Sequence, residues 1–322
     1  RSPVDTLLEV FDADGKMLAA NDDGELLKSE VVHEFVPFDS QLAFTAKTAG
    51  EYFIRLAEQS GVRGPRAVYR LTVQDNRPDF DMYQWPDAVT VWGPGTTAAF
   101  VVETHRHGNL KGDIELTIEG LPEGWTGSTA TAFGADYRHP LRGAFGHKTF
   151  LTITAPPNAE PGTVAEFQVT GRVKVADREV VHQALPLTQL AWGEPNRFRA
   201  GVMSRAVVAR PQGLPISTTI TELTAAAGGK VTIPLRLAEG TETPAKPVKL
   251  SVNRAGTHFR CAVGGQLTVS FKDGKATLEL ALPAGFKAGQ EYEILVSDVW
   301  TSETRQGLPG PCTRPIRVRV EE

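Results

Sequence analysis

Acidic side chains recur near the start of the chain at a spacing that suits oxygen ligands of a hard cation. The run Asp12-Ala13-Asp14-Gly15 places two carboxylates beside a glycine, and Ca²⁺ takes six to eight oxygen ligands of this kind. The same residues have the composition of a hairpin turn, and the remaining EF-hand ligands are missing. The sequence therefore leaves open a calcium site or solvated turn residues for the set Asp5, Asp12, Asp14, Asn21, Asp22, Asp23 and Asp39.

A second polar group alternates along one segment, where Glu103, His105 and His107 are each two residues apart. On a strand these side chains would share one face, about 6.8 Å apart in succession. Two histidines at i and i+2 can hold one zinc ion, and a carboxylate can complete the ligand set. The alternative is that Phe100 and Val102 face a core while the three polar side chains face water. The pattern is compatible with a transition-metal site and with a solvated strand face.

Aromatic residues form a third group, in which Tyr83, Trp85 and Trp92 lie close together in the sequence. Exposed rings could stack on sugars, whereas buried rings would belong to the core of a sandwich. Trp125 follows a Pro-Glu-Gly run, and we expect it to pack between two sheets. A carbohydrate-binding surface is thus one of two predictions for the first three rings.

The two cysteines, Cys261 and Cys312, are too few for a disulfide scaffold and cannot by themselves hold zinc. An intradomain disulfide and two reduced thiols both remain open, and an oxidising compartment would favour the bond. The sequence contains no Gly-x-Ser-x-Gly, no His-Glu-x-x-His, no phosphate-binding loop and no dinucleotide fingerprint. We therefore nominate no catalytic residues and predict that the chain is not an enzyme.

The elements that would position these residues are strands, because apolar side chains alternate with polar ones along most of the chain. Antiparallel sheets packed in pairs require one apolar and one wet face on each strand. Turn signals such as Asp273-Gly274 separate the strands. The alternating apolar sets are Tyr52, Ile54 and Leu56; Tyr69, Leu71 and Val73; Ile114, Leu116 and Ile118; Val231, Ile233 and Leu235; and Ile316, Val318 and Val320.

Short strands with this punctuation predict an all-β protein made of tandem antiparallel β-sandwiches. The composition predicts a partial sandwich over residues 1–76, an immunoglobulin-like sandwich over 77–190, a linker over 191–215 and a second immunoglobulin-like sandwich over 216–322. The linker prediction rests on prolines, glycines and arginines without clean alternation. At about 75 residues, the first region is small for a sandwich, which normally needs about 100 residues.

The charge balance limits the partners of the chain. With 34 basic and 38 acidic side chains, the net charge is −4, which gives no electrostatic case for nucleic acid. No apolar run approaches the roughly 18 residues that cross a bilayer, so no membrane insertion is expected in this segment. Other domains of the same protein, or a cell-surface or matrix polymer, are the partners that we expect.

The first region contains the runs Ser2-Pro3-Val4-Asp5-Thr6, Leu8-Glu9-Val10-Phe11-Asp12, Gly50-Glu51-Tyr52-Phe53-Ile54-Arg55-Leu56 and Tyr69-Arg70-Leu71-Thr72-Val73. In their order and spacing these runs resemble the second half of the bacterial pre-peptidase C-terminal domain, a small jelly-roll-like sandwich of exported proteins. This resemblance implies a secreted, periplasmic or cell-surface location, opening strands upstream of Arg1, and a calcium ion as bound in some relatives. Leu121-Pro122-Glu123-Gly124-Trp125 is similar to immunoglobulin-like modules of secreted glycosidases.

Together these observations predict a non-catalytic accessory or adhesive region of an exported bacterial protein. It would act by binding, tethering or stabilising a larger protein. The alternatives are a carbohydrate- or matrix-binding module that uses the three aromatic side chains, and the non-catalytic part of a secreted peptidase or other hydrolase.

Overall fold

The computed structural model describes residues 4–23, 27–29, 33–35, 40–65, 67–134, 147–191, 197–254, 262–283, 286, 288–289, 291–298 and 310–321. Every regular secondary-structure element in these residues is a β-strand. The chain divides into two compact units. Unit 1 comprises Arg1–Pro78 and His107–Asn109, and unit 2 comprises Asp79–Arg106 and Leu110–Glu322.

Unit 1 contains one three-stranded antiparallel sheet with the order β2-β1-β5, and a separate two-stranded pair, β3-β4. Val4 and Val10 are its buried apolar side chains among the described residues, and Thr6 and Glu9 are buried with them. The strands are β1 (Thr6–Asp12), β2 (Met17–Asn21), β3 (Leu27–Ser29), β4 (His33–Phe35) and β5 (Tyr52–Glu58).

Unit 2 begins with a two-sheet sandwich, here called sandwich A. Sheet A1 has the order β10-β12-β8-β6-β15-β16, and sheet A2 has the order β11-β9-β13-β17-β7, with β14 beside β13. Its strands are β6 (Asp79–Trp85), β7 (Ala88–Val91), β8 (Thr97–His107), β9 (Ile114–Glu119), β10 (Thr126–Gly127), β11 (Ala130–Ala132), β12 (His147–Thr154), β13 (Val164–Val175), β14 (Arg178–Gln183), β15 (Leu185–Ala191), β16 (Arg197–Ala200) and β17 (Ser204–Val208).

The core of sandwich A lies between sheets A1 and A2. Alternation turns Phe100 and Val102 of β8 inward, where Phe100 meets Phe167 of β13 with 5.6 Å between ring centroids. Trp125 is 8% exposed and belongs to this core, which confirms its predicted place between the sheets.

The remainder of unit 2 is a second two-sheet sandwich, here called sandwich B. Sheet B1 has the order β18-β20-β23, and sheet B2 has the order β19-β25-β24-β21-β22. Its strands are β18 (Ile216–Ser217), β19 (Glu222–Ala226), β20 (Lys230–Leu237), β21 (Val248–Arg254), β22 (Ala262–Val269), β23 (Lys275–Ala281), β24 (Glu291–Asp298) and β25 (Ile316–Glu321).

The core of sandwich B contains Ile233 and Leu235 from β20 and Ile316 and Val318 from β25. Asp273 and Gly274 form the turn that enters β23, with φ values of 50° and 69°, as a two-residue hairpin turn requires. The predicted all-β class with tandem sandwiches is confirmed.

The prediction of a linker over residues 191–215 is wrong. Strand β17 pairs antiparallel with β13 and parallel with β7, and β16 pairs with β15, so both strands are built into sandwich A. Only small side chains of β17 turn inward, including Ala206 and Val208, which are at most 1% exposed. A five-residue strand with such small inward side chains gives little periodic signal.

The predicted strand over Tyr69, Leu71 and Val73 also does not form. Residues 67–77 carry no strand, and these three side chains are 66%, 43% and 72% exposed. Alternation alone does not make a strand, because a strand also needs a neighbour for its backbone groups.

Candidate functional site

The aspartates at the β1–β2 hairpin lie in its turn, and Asp12 stabilises that turn by local hydrogen bonds. Asp12 Oδ1 accepts hydrogen bonds from the backbone N–H groups of Asp14, at 3.1 Å, and of Lys16, at 2.9 Å. Gly15 follows with φ of 80°. This is the local bonding by which aspartate favours turns, so the turn alternative describes this end of the sheet.

A separate acidic group lies at the opposite end of β1. The pKa of Asp23 is raised by partial burial, and then by the charges of Asp22 and Asp5. The Asn21 side-chain amide donates to the backbone oxygens of Asp23 and Gln41. This group therefore brings three of the predicted calcium ligands near one another.

The seven predicted ligands do not converge on one ion. The seven residues of β1 separate the two acidic groups, a distance of roughly 20 Å at about 3.3 Å per residue. In the described part of the chain, no group of three or more His, Cys, Asp or Glu side chains could hold a metal ion. Asp39 lies outside the described residues, and calcium binding stays a prediction.

Glu103 and His105 come together on β8. His105 Nε2 lies 2.9 Å from Glu103 Oε1, and the two side chains are only 10% and 5% exposed. The Tyr83 ring meets the His105 ring edge-on, with 5.5 Å between centroids. His107, two residues further along the strand, is partly exposed.

The predicted water-facing alternative is wrong for Glu103 and His105, because both are almost fully removed from solvent. A carboxylate bonded to one ring nitrogen fixes the orientation of an imidazole, as in many catalytic and metal sites. Here the Tyr83 ring packs against His105 and little of either side chain of the pair is exposed, so a substrate would have to displace that packing. We interpret the pair as a buried structural contact on the outer face of sheet A1.

The three aromatic side chains proposed for sugar stacking do not form an exposed platform. Trp85 is only 4% exposed, and Tyr83, on the same face of β6, is partly buried beside His105. Trp92 follows β7 in the other sheet of sandwich A. The stacking prediction is therefore wrong for Trp85, whose ring is enclosed although it lies opposite the sandwich core.

Sandwiches A and B share a buried apolar contact, here called the junction. Ala99 and Val101 of β8 and Phe150 of β12 pack against Leu295 of β24 and Cys312, and none of the five is more than 6% exposed. These residues of sheet A1 point away from the core of sandwich A. The outer face of sheet A1 is therefore a second interior surface.

Hydrogen bonds reinforce the junction. The backbone N–H of Cys312 donates to the Thr97 carbonyl at 3.1 Å, and Arg314 Nη2 donates to Thr126 Oγ1 at 2.7 Å. Cys312 is a free thiol, and its burial raises its pKa far above the ordinary value. Cys261 lies outside the described residues, and the free thiol of Cys312 corresponds to the reduced alternative of the prediction.

A partly buried carboxyl lies on the strand that supplies Leu295. Glu293 shares the outer face of β24 with Leu295, because Ile294 faces the core of sandwich B. Burial raises the pKa of Glu293 to about 7, Arg317 opposes that shift, and Glu291 adds to it. Arg317 is the cross-strand partner of Glu293 on β25, and Glu291 pairs with Arg319 at 2.8 Å.

The junction was missed from the sequence, although a signal was present. Residues 98–102 read Ala-Ala-Phe-Val-Val and residues 294–296 read Ile-Leu-Val, both without alternation. Continuous apolar runs are typical of strands buried on both faces. In β8 and β24 they mark the strands whose outer faces are covered.

The comparisons with known proteins show no family for this chain. No family model matches it, and no curated protein matches it. No helix in the described residues is long and apolar enough to span a bilayer.

Among solved structures, the chain is similar to the polymeric immunoglobulin receptor ectodomain of a teleost fish. The identity is 11%, the match covers 74% of this chain and 98% of that one, and the TM-score is 0.23. A protein of unknown function from Porphyromonas gingivalis W83 is similar at 11% identity over 75% and 99% of the two chains, with a TM-score of 0.22. Likenesses this distant carry no argument about function.

Proposed function

We propose that this chain is a non-catalytic accessory or adhesive region of an exported bacterial protein, in which unit 2 serves as a stiff two-sandwich spacer. The observation that carries the proposal is the junction, where Val101 and Phe150 of sandwich A meet Leu295 and Cys312 of sandwich B. A spacer needs a fixed angle and distance between its modules. A buried apolar contact provides both, whereas a flexible linker provides neither.

The strength of the junction follows from the area that it hides. Burying a Val, Leu or Phe side chain contributes about 1.5–3 kcal/mol, and the junction contains one of each in Val101, Leu295 and Phe150. The backbone bond from Cys312 to Thr97 fixes the approach of the two sheets. Separating the sandwiches would therefore cost several kcal/mol, so they should move as one body.

The proposed absence of catalysis is supported by the roles of the polar groups that the sequence singled out. Asp12 bonds its own turn, and Glu103 bonds His105 in a nearly dry environment. Each group is already committed to a structural contact. A spacer or tether needs no bond-making site.

The proposal includes a secreted, periplasmic or cell-surface location, which rests on the resemblance of residues 1–76 to the pre-peptidase C-terminal domain. The partners would be other domains of the same protein and a cell-surface or matrix polymer.

The spacer is tested by the distance between two spin labels, one on each sandwich. Lys174→Cys on β13 and Glu279→Cys on β23 place labels at exposed positions, in a Cys261→Ser background that leaves the buried Cys312. A stiff unit gives one narrow distance distribution, which Leu295→Asp should broaden. The control Val202→Asp changes a side chain that is 87% exposed and should leave the distribution narrow. A broad distribution in the parent protein would overturn the spacer.

The proposal that the chain is non-catalytic needs a separate test on the same purified protein. Hydrolysis of polysaccharide or protein substrates would overturn it. Retardation in affinity electrophoresis on polysaccharides would instead support the carbohydrate-binding alternative, and no retardation would count against that alternative.

A further inference from the structure

Exposed apolar side chains are concentrated in unit 1. Large exposed patches of this kind commonly mark surfaces that bind another protein. Unit 2 has only Val164, Val181 and Val202 as exposed large hydrophobics among its described residues. Those of unit 1 are Met17, Leu18, Phe44, Phe53, Ile54, Val68, Tyr69, Leu71 and Val73.

Strand β5 has the sequence of an interior strand but lies at a sheet edge. Among the described strands it pairs with β1 only. Phe53 and Ile54 lie on opposite faces of β5 and are 55% and 43% exposed. The one cationic side chain of β5, Arg55, forms a salt bridge with the buried Glu9. Its charge is therefore neutralised and does not disfavour the pairing of another strand with this edge. An open apolar edge of this kind accepts a further strand.

Residues 68–73 complement the edge of β5, because they have the sequence pattern of a strand but belong to none of the described sheets. Tyr69, Leu71 and Val73 alternate with Arg70 and Thr72, which is the pattern of a half-buried strand. Within the part of the chain that the structure describes, these six residues take part in no strand ladder. Their apolar side chains face solvent.

We propose that two copies of the chain exchange this segment, so that residues 68–73 of each copy add to β5 of the other as an antiparallel strand. One chain carries both the open edge and the unpaired segment, so two copies satisfy each other reciprocally and the assembly closes as a dimer. Only the nine residues 59–67 separate the segment from β5, yet the segment pairs with no described strand of its own chain. A second copy offers the segment the same open side of β5.

Side-chain chemistry selects the register of the exchanged strand. Setting Leu71 opposite Leu56 places Val73 opposite Ile54 and Thr72 opposite Arg55, so the apolar side chains share one face. A shift that sets Leu71 opposite Ile54 would place Arg70 opposite Arg55, and like charges directly opposite each other destabilise a sheet. The first register is therefore the one expected in the dimer.

The oligomeric state of the full chain tests the exchange. Analytical ultracentrifugation between 1 and about 100 µM should show conversion of the 34.8 kDa monomer to a species of twice that mass. The double variant Leu71→Lys with Val73→Lys should stay monomeric over this range. Val202→Lys, which removes an exposed apolar side chain of unit 2, should still dimerise. A parent chain that stays monomeric at the highest concentration, or a double variant that still dimerises, would overturn the exchange.

Cross-linking tests the register independently of mass. Two differently tagged copies in a Cys261→Ser background, one with Leu71→Cys and one with Leu56→Cys, should form a mixed disulfide when mixed under mild oxidation. Thr72→Cys in place of Leu71→Cys should react at least ten times more slowly, because it faces the other side of the sheet. Equal rates for the two, or a disulfide formed only within single chains that carry both Leu56→Cys and Leu71→Cys, would contradict the proposal.

Discussion

Strands β5 and β8 both carry apolar side chains on their two faces, but their surroundings differ. β8 carries the run Ala-Ala-Phe-Val-Val, has a neighbour on each side in sheet A1, and hides both faces. β5 carries Tyr-Phe-Ile-Arg-Leu-Ala but leaves Phe53 and Ile54 largely exposed. An apolar strand sequence thus favours burial of the strand. Whether the strand is buried depends on the layers that pack against it.

The same contrast separates unit 1 from unit 2. Each sandwich of unit 2 closes its own core between two sheets, and the junction hides a further apolar face of sheet A1. Unit 1 has a three-stranded sheet whose buried apolar side chains in the described residues are Val4 and Val10. Since apolar burial is the main favourable term in folding, unit 1 should be much less stable than unit 2.

Replacing a phenylalanine by alanine in each unit in turn gives the largest expected difference in the free energy of unfolding. Phe167→Ala removes a fully buried ring from the core of sandwich A and should lower the free energy of unfolding by about 3–5 kcal/mol. Phe53→Ala removes a ring that is 55% exposed and should change it by less than about 0.5 kcal/mol. Urea unfolding monitored by far-ultraviolet circular dichroism measures both, because strands of the two units contribute to that signal whereas unit 1 contains no tryptophan. Equal losses would mean that unit 1 has a core like that of unit 2.

The partly buried carboxyl of Glu293 in sandwich B predicts a pH dependence in unit 2. The pKa of Glu293 rises from its ordinary value of 4.5 to about 7, so the folded chain binds a proton that the unfolded chain releases. This group favours the folded state below about pH 4.5, and that advantage is lost as the pH rises to about 7. Glu293→Gln should therefore stabilise unit 2 at pH 8 by up to about 3 kcal/mol.

Urea unfolding at pH 5 and pH 8 measures this effect as a smaller stability difference in Glu293→Gln than in the parent chain. The control Glu279→Gln changes an outward-facing carboxyl of β23 and should retain the parent profile. An unchanged pH profile in Glu293→Gln would show that Arg317 neutralises the charge of Glu293.

The junction predicts that the two sandwiches resist separation. Leu295→Ala should cost about 2 kcal/mol. In a Cys261→Ser background it should also raise the rate at which a thiol reagent labels Cys312 by roughly 30-fold, since 1.4 kcal/mol corresponds to a factor of ten. Val181→Ala, at a side chain that is 44% exposed, is the control and should leave the rate unchanged. Fast labelling of the parent chain would mean that the junction is open in solution.

The smallest effect is expected at the hairpin of unit 1. Asp12→Ala removes the acceptor for two backbone N–H groups and should cost about 1 kcal/mol locally. Hydrogen exchange of the β1 and β2 amides should become faster by a factor of about five. Asp14→Ala, whose side chain is exposed in the same turn, should leave exchange unchanged. A larger effect at Asp14 would favour a ligand-binding role for its carboxylate.

Local patterns predicted a large part of the fold. Alternation identified the strands that contain Ile114, Ile233 and Ile316, and Asp273-Gly274 identified a turn with positive φ at both residues. These features depend on side-chain periodicity and on the conformational range of single residues. Where the inward side chains were small and few, as in β17, the same reasoning predicted a linker in place of a strand.

The candidate sites were less predictable, because each depends on what covers a side chain. The spacing in the sequence correctly placed Glu103 beside His105, but it could not show that both side chains are buried. Spacing also could not show that Trp85 is enclosed, or that β1 separates Asp12 from Asp23. Adjacent residues in a sequence share a face or a turn, whereas the layer above them comes from distant parts of the chain.

The sequence by itself determined the all-β class, the positions of many strands and the absence of familiar catalytic motifs. These follow from period-two alternation and from short runs of residues. Only the tertiary structure decided that Phe150 meets Leu295 across a junction, and that β1 is the one described strand beside β5. Burial is a property of packed layers, and residues more than a hundred positions apart supply the two sides of the junction.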